Sequence, residues 1–290
     1  MGQVPAGTSK IRGLDVIFPR PEVLDRQAYA PGIKISKDLD LLFFSGMTPH
    51  PFEVDPWEPA AFRMPSDPME RSRLVTEKVD QVLKAAGATW EHIVFNVNYT
   101  APPGGGGINF RERQGDYSPC STSLRVASTG VPDTNTFYQI TATAPRRAIT
   151  ARGPVPGIEP VLHRPGVALK DLPAAPAIRI NSDVELVFFS GVTAYPSNVD
   201  HWNPGSYKLP DDAAMQEKMV EENIDRMLKA AGIGWEHIVL LTRIGEVRGL
   251  TAMRERMGDW RPCRTTRAVG TGIPGAKVMC EVTAVAPRRG

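Results

Sequence analysis

The feature that most restricts this chain is a long internal repeat. Leu42-Phe43-Phe44-Ser45-Gly46 returns 145 positions later as Val187-Phe188-Phe189-Ser190-Gly191. The same offset carries Asp55 and Trp57 onto Asp200 and Trp202, and Lys84-Ala85-Ala86-Gly87 onto Lys229-Ala230-Ala231-Gly232. It also carries Trp90-Glu91-His92-Ile93-Val94 onto Trp235-Glu236-His237-Ile238-Val239. Toward the end of each half the offset slips to 143 at Cys120/Cys263 and 142 at Pro145/Pro287, so length changes fall in connecting loops. A repeat of this length is a duplicated domain, not a solenoid unit. The expected organisation is an N-terminal extension over 1–30, a first domain over 31–147, a Pro- and Gly-rich linker over 148–175 and a second domain over 176–290.

Within a half, Ile33 to Gly46 reads as two strands around a polar turn at Lys37-Asp38, with the Phe43-Phe44 run suited to a strand buried on both faces. Val75, Val79, Val82, Leu83 and Ala86 recur on one helical face, with Asp67 placed to cap the helix and Gly87 to stop it. Val220, Ile224, Met227, Leu228 and Ala231 repeat that face, ending at Gly232. Ile93, Phe95, Val97 and Tyr99 alternate with Val94, Asn96, Asn98 and Thr100 as a strand, and shorter helices are expected over Phe110–Tyr117 and Met253–Trp260. The order per half is β-β-α-β-α-β-β. The predicted class is α+β, two tandem domains, each a mixed sheet with two helices on one face. The other sheet face needs a cover, most cheaply another copy.

Composition excludes several roles. A formal net charge of +2, with acids and bases interleaved, gives no reason to expect nucleic acid as a partner. No apolar run is long enough to span a bilayer and the N-terminus does not read as a leader, so the expected location is cytoplasmic, with no membrane partner. Three cysteines without a CxxC pair argue against disulfides or thiolate metal sites, and Cys120 and Cys263 read as small packing residues. The five histidines are scattered; His92 and His237 sit at a helix-to-strand turn, where packing or capping suits them better than a metal. Gly104–Gly107 follow two prolines without a phosphate-loop lysine and read as an insertion. Asp55 and Asp200 read as loop braces, with a pocket-facing role the minor alternative.

The chemistry concentrates near the C-terminus. Pro262-Cys263-Arg264-Thr265-Thr266 and Lys277–Pro287 read as two strands paired across Gly270–Gly275, which would bring Arg264 near Glu281. The first half has Ser121 and Gln139 at these positions. A guanidinium offers two parallel donors to a substrate carboxylate, and a carboxylate among apolar neighbours suits proton transfer if it is buried. The same two groups could equally form a structural ion pair or lie solvated at an edge.

Arg264-Thr265-Thr266, the upstream Phe-Ser-Gly strand, the Ala-Ala-Gly helix end and the terminal strand Glu281–Ala286 together resemble the RidA (YjgF) family of enamine/imine deaminases, over Ile33–Pro145 and Ile178–Pro287. The resemblance implies a chorismate-mutase-like fold, trimeric assembly with sites between neighbouring domains, and no cofactor or metal. It implies that Arg264 holds the substrate carboxylate, that Glu281 positions or activates water, and that Ser190-Gly191 line the pocket. Arg254 stands near the place of a family asparagine, and a second guanidinium would favour a dicarboxylate of the 2-aminomuconate type over 2-aminoacrylate; Arg248, Arg254 and Arg256 could also be a solvated helix face. The expected reaction releases ammonia and a keto acid, and the expected assembly is a homotrimer whose six domains stack as two rings. The alternatives are a binding or chaperone-like protein without turnover and, less favoured by charge, a nuclease.

Overall fold

The computed structural model describes residues 9–17, 29–56, 62–102, 108, 110–114, 117–149, 153–205, 207–246 and 251–288. Most of the N-terminal extension, Trp57, Gly104–Gly107 and Arg248 lie outside them.

The predicted element order appears in both halves. The first contains β2 (Gly32–Ile35), β3 (Leu39–Phe44), α1 (Pro68–Ala85), β4 (Ile93–Thr100), α2 (Phe110–Gln114), β5 (Cys120–Arg125) and β6 (Thr136–Pro145). The second contains β8 (Ala177–Ile180), β9 (Val184–Thr193), α3 (Ala213–Ala230), β10 (Ile238–Gly245), α4 (Thr251–Met257), β11 (Cys263–Arg267) and β12 (Val278–Pro287). Two short strands form where no periodicity announced them: β1 (Leu14–Ile17) in the extension and β7 (Ile158–Val161) in the linker.

The helices form for the reasons their sequences give. Asp67 accepts the Met69 N–H at 2.9 Å, Pro68 opens α1, and Gly87 turns the chain out at φ +68°. Asp212 caps α3 in the same way, and Gly232 ends it at φ +72°. Val75, Val79, Val82 and Leu83 bury against Leu42, Phe44, Ile140 and Ala142; Val220, Ile224 and Leu228 bury against Leu241, Cys280 and Val282. His92 and His237 each accept a backbone N–H at 3.1 Å, from Thr89 and Gly234, which is the capping role expected of them.

Strand pairing departs from the sequence reading in two respects. First, β2 and β3 do not form a hairpin; β2 pairs with β1, and β3 is flanked by β6 and β8. The first strand of the second repeat is thereby inserted into the first sheet, whose order is β5-β4-β6-β3-β8-β7, leaving a second sheet β11-β10-β12-β9. Second, β11 and β12 are not neighbours. β10 lies between them, parallel to β11 across α4 and antiparallel to β12. A parallel pair needs a crossover, and the stretch between β10 and β11 supplies one.

A buried ion pair holds the inserted strand. The Arg179 side chain, 1% exposed, donates from Nε to Asp40 at 2.8 Å, from Nη1 to the Ala86 carbonyl at 3.2 Å and from Nη2 to the Pro145 carbonyl at 2.6 Å. It ties β8 to β3, to the end of α1 and to the end of β6. Arg179→Met, which leaves Asp40 buried without its cation, should cost about 3–5 kcal/mol in chemical denaturation, and the double change with Asp40→Leu should recover much of that.

Candidate functional site

The site is built on the outer edge of β11. The Ser45 hydroxyl of the first half accepts the Arg264 N–H at 2.9 Å and donates to the Ala175 carbonyl at 2.6 Å. Gly46 N–H donates to the Arg264 carbonyl at 2.8 Å, and the Cys263 thiol donates to the Phe43 carbonyl at 3.0 Å. β11 of the second half is therefore seated on the end of β3 of the first. Phe43, Ile158, Ile178 and Ile180 pack beneath that contact against Val239, Leu240, Trp260 and Cys263. Nearby, Gly130 (φ +75°) comes so close to the second half's Ala268 that a Cβ there would meet it at 2.6 Å.

Arg264 shares its register row with Leu241 and Val282, both in the core beneath α3. Its side chain is 11% exposed and reaches Asp55 of the first half at 3.7 Å; Arg254 on α4 reaches the same carboxylate at 3.4 Å. Arg254, Arg261, Arg264, Met253, Met257 and Leu241 line a cavity of about 20 Å³ at this point. Burial pulls the Arg264 pKa down to about 10, with Asp55 opposing the shift and Arg243 and Arg254 adding to it. Arg261 is also lowered, by burial and then by Arg254. Two guanidiniums thus share the Asp55 carboxylate and a third, Arg261, lines the adjoining cavity, an excess of positive charge suited to an anionic ligand.

The loop carrying Asp55 is pinned from α1. Lys78 donates to the Thr48 carbonyl at 3.0 Å and to the His50 carbonyl, and lies 4.3 Å from the centre of the Phe52 ring. Asn223 makes the equivalent bonds in the second half, to Thr193 and Tyr195. Burial takes the Lys78 pKa down to about 7, and burial with the Lys78 charge takes the His50 imidazole down to about 4. Asp200, the repeat counterpart of Asp55, caps its own loop by accepting the Trp202 N–H at 2.9 Å.

Glu281 is elsewhere. It shares a row with Thr242 and Thr265, one residue out of step with Arg264, so the two side chains leave opposite faces of the sheet. Glu281 is 45% exposed and pairs with Arg267 at 3.4 Å, not with Arg264. Arg267 also donates to Gln139 of the first half at 2.6 Å and lies 5.3 Å from the Tyr99 ring, itself stacked on Phe137. The expectation that Arg264 and Glu281 meet in one compartment fails because β10 intervenes and fixes their rows. Ser190 and Gly191 lie on β9, with β12 and β10 between them and β11; their repeat counterparts Ser45 and Gly46 are the residues beside Arg264. Arg254 reaches the same carboxylate as Arg264. Sequence reasoning missed Arg267, whose only signal was a charged residue where the first half has Leu124. It also missed Arg243, 1% exposed and paired with Glu217 under α3, where the first half has Asn98.

With this geometry in view, comparison with known proteins adds the following. No protein-family model matches the chain, and no curated protein does. Solved structures do match. They include a Rid-family protein of unknown function from Yersinia pestis, 16% identical, covering 37% of this chain and 84% of its own, at a TM-score of 0.31. A YjgF-family member from Neisseria meningitidis is 24% identical over 39% of this chain and 86% of its own, at 0.27. RidA from an Antarctic Psychrobacter is 18% identical over 36% and 86%, at 0.29. The resemblance is to the Rid fold. Each match spans little more than a third of the chain, the length of one repeat, and the identities speak to fold alone. Among the described residues, no helix is long and apolar enough to cross a membrane, and no group of three or more His, Cys, Asp and Glu is placed to hold a metal ion.

Two outcomes follow. Ser45→Ala removes a hydroxyl that ties the end of β3 to Ala175 and to Arg264 of β11 and should cost about 1–3 kcal/mol in denaturant titration. For His50, the folded pKa lies below the unfolded value of 6.5, so between those two values the unfolded chain binds a proton that the folded one does not. Its contribution is complete above pH 6.5 and is lost as pH falls toward 4; His50→Gln should flatten that limb of a stability-versus-pH curve.

Proposed function

We infer that this chain acts on a small carboxylic acid at the junction of its two halves, hydrolysing an enamine or imine acid to a keto acid and ammonia. The observation that carries the reading is the buried Arg264 guanidinium sharing the Asp55 carboxylate with Arg254, in a region of positive excess. A substrate carboxylate takes the place of the Asp55 carboxylate on Arg264, and Arg254 favours a second acidic group on the substrate. Asp55, displaced but adjacent, then accepts a proton from water as the water oxygen adds to the C=N carbon. It passes that proton to the nitrogen to give the carbinolamine, then takes the carbinolamine's hydroxyl proton and delivers it to the nitrogen as the C–N bond breaks, leaving the keto C=O and free ammonia. Asp55 thus takes the role that the sequence assigned to Glu281, because Glu281 lies on the other face of the sheet.

A second reading, binding without turnover, is favoured by the cavity volume of about 20 Å³, room for roughly one water rather than a ligand. On that reading Arg264 captures a keto acid when the Asp55 loop gives way, and no ammonia is released.

The test is ammonia release from imines formed in situ by an amino-acid oxidase. Arg264→Ala should lower kcat/KM by about 100-fold or more, and Asp55→Asn should lower kcat by a comparable ~100-fold. Glu281→Gln should leave both within a factor of about three. Loss of turnover in Glu281→Gln with Asp55→Asn intact would reverse the assignment, and a wild-type chain that binds pyruvate in calorimetry without accelerating hydrolysis would establish the second reading.

As to assembly, two stacked three-domain rings require like halves to share a ring, whereas the contact within the chain joins unlike halves head to tail. Any ring closed by that contact alone holds an even number of domains.

A further inference from the structure

Lys78 lines a cavity that the Arg264 centre does not use. Phe52, Glu53, Phe62, His163 and Arg164 line it too, in a space of about 400 Å³ between α1, the loop after β3 and the linker beyond β7. A volume of that order holds a small organic ligand. It shares no lining residue with the cavity at Arg264. Glu53 is held from the linker, by His163 Nε2 at 2.9 Å and by Arg164 Nη2 at 2.8 Å. The His163 side chain is 6% exposed and its ring lies 4.8 Å from that of Phe52, yet its Nδ1 is buried with no hydrogen-bond partner. A buried ring nitrogen of this kind has room for a partner from outside the chain.

The second repeat shows that pinning the loop does not require an amine. Asn223 makes the equivalent two carbonyl bonds with a neutral amide. Nor is that change isolated: Phe52, Glu53 and Lys78 give way to Ser197, Asn198 and Asn223, so the whole group is confined to the first half. The two bonds of Lys78 go to the Thr48 and His50 carbonyls, not to a carboxylate. A neutral amine makes both with its two N–H groups and keeps its lone pair uncommitted. The charged and titratable groups about it are His50 and Glu53 on the loop, Glu77 on α1, and His163 and Arg164 on the linker. Burial outweighs the Glu53 charge and takes the Lys78 pKa to about 7. Roughly half of the Lys78 amine is then neutral at pH 7, against fewer than about one in a thousand for an ordinary lysine near 10.4.

We propose that Lys78 is a carbonyl-capturing amine, forming an imine with a small aldehyde or keto acid whose carboxylate rests on Arg164. Arg164 spends one nitrogen on Glu53 and has others to offer. With Nε2–H donated to Glu53, His163 presents Nδ1 as a proton acceptor. The Lys78 nitrogen adds to the carbonyl carbon, and His163 carries an amine proton to the carbonyl oxygen, giving a carbinolamine. The nitrogen lone pair then expels the hydroxyl, which leaves as water with the second amine proton, carried by the same imidazole. Amine and carbonyl have become imine and water, with no other reactant. Both N–H groups are consumed, so capture also releases the Thr48 and His50 carbonyls.

The experiment incubates the full chain with glyoxylate and cyanoborohydride, which reduces an imine to carboxymethyl-lysine, and maps the labelled lysines by peptide mass spectrometry. At pH 7, Lys78 should be labelled at least ~10-fold faster than any other lysine, with a rate that rises through about pH 7. Lys78→Asn, which installs the residue of the second repeat, should keep the wild-type circular dichroism and lose this fast phase. Arg164→Ala should slow labelling by glyoxylate about 10-fold while leaving that by glycolaldehyde, which has no carboxylate, within a factor of about two. Lys78 labelled no faster than the other lysines, or only above about pH 9, would overturn the proposal. An Arg164→Ala chain that takes up glyoxylate at the wild-type rate would overturn it as well.

Discussion

Arg179 and Asp40 set the position of nearly everything that bears on function. Their buried pair locks β8 against β3, and β8 brings with it the preceding Ala175 and Pro176. Pro176 accepts the Ser45 N–H, and Ala175 accepts the Ser45 hydroxyl, which in turn takes the Arg264 N–H. One ion pair in the first sheet thus fixes, through four residues, where the second half's β11 sits. An ion pair so fully removed from water contributes little net stability, because desolvation offsets most of its attraction. Its physical effect is specificity of register: all four residues of β8 are buried, and a slip of one residue would turn Arg179 to the opposite face and leave two buried charges unpaired.

The repeat counterparts show what the duplication has changed. Lys34 and Glu185 stand where Arg179 and Asp40 stand, and both are exposed. Asp55 and Asp200 open loops that share a tryptophan two residues on and prolines four and ten residues on, yet one meets Arg264 and Arg254 while the other caps its own backbone. The second half has gained buried charge, with Arg243 and Glu217 beneath α3 where the first half has Asn98 and Ser72. Two copies of one domain therefore supply unlike surfaces to a single junction. The guanidinium comes from one and the carboxylate from the other.

Much of this was legible in the sequence. The offset of 145 gave the duplication, the helical stripes and their caps gave α1 and α3, and the glycines at 87 and 232 gave their ends. Arg264 and Arg254 read in the sequence as cations suited to an acid; what the structure adds is that both reach the Asp55 carboxylate. Pairing between strands was less legible. Treating β11 and β12 as neighbours put Arg264 beside Glu281, but β10 enters between them, and a side-chain period of two then turns one residue of register into opposite faces. No local pattern distinguishes a strand that pairs with its own hairpin partner from one inserted in another sheet, so the exchange of β8 was invisible. With it went the fact that Ser45-Gly46, and not Ser190-Gly191, would adjoin Arg264. β1 and β7 were missed because they are short strands in Pro- and Gly-rich segments.

The central claim is that Arg264 and Arg254 form the anion-binding centre and that Arg267, on the opposite face, does not. The most direct measurement is side-chain NMR of ¹⁵N-arginine-labelled protein titrated with pyruvate and with a dicarboxylate, the resonances assigned by Arg264→Lys, Arg254→Lys and Arg267→Lys. The account predicts saturable shifts at the Nε of Arg264 and Arg254, tighter for the dicarboxylate, with Arg267 unmoved. Shifts centred on Arg267, with Arg264 still held by Asp55, would contradict it.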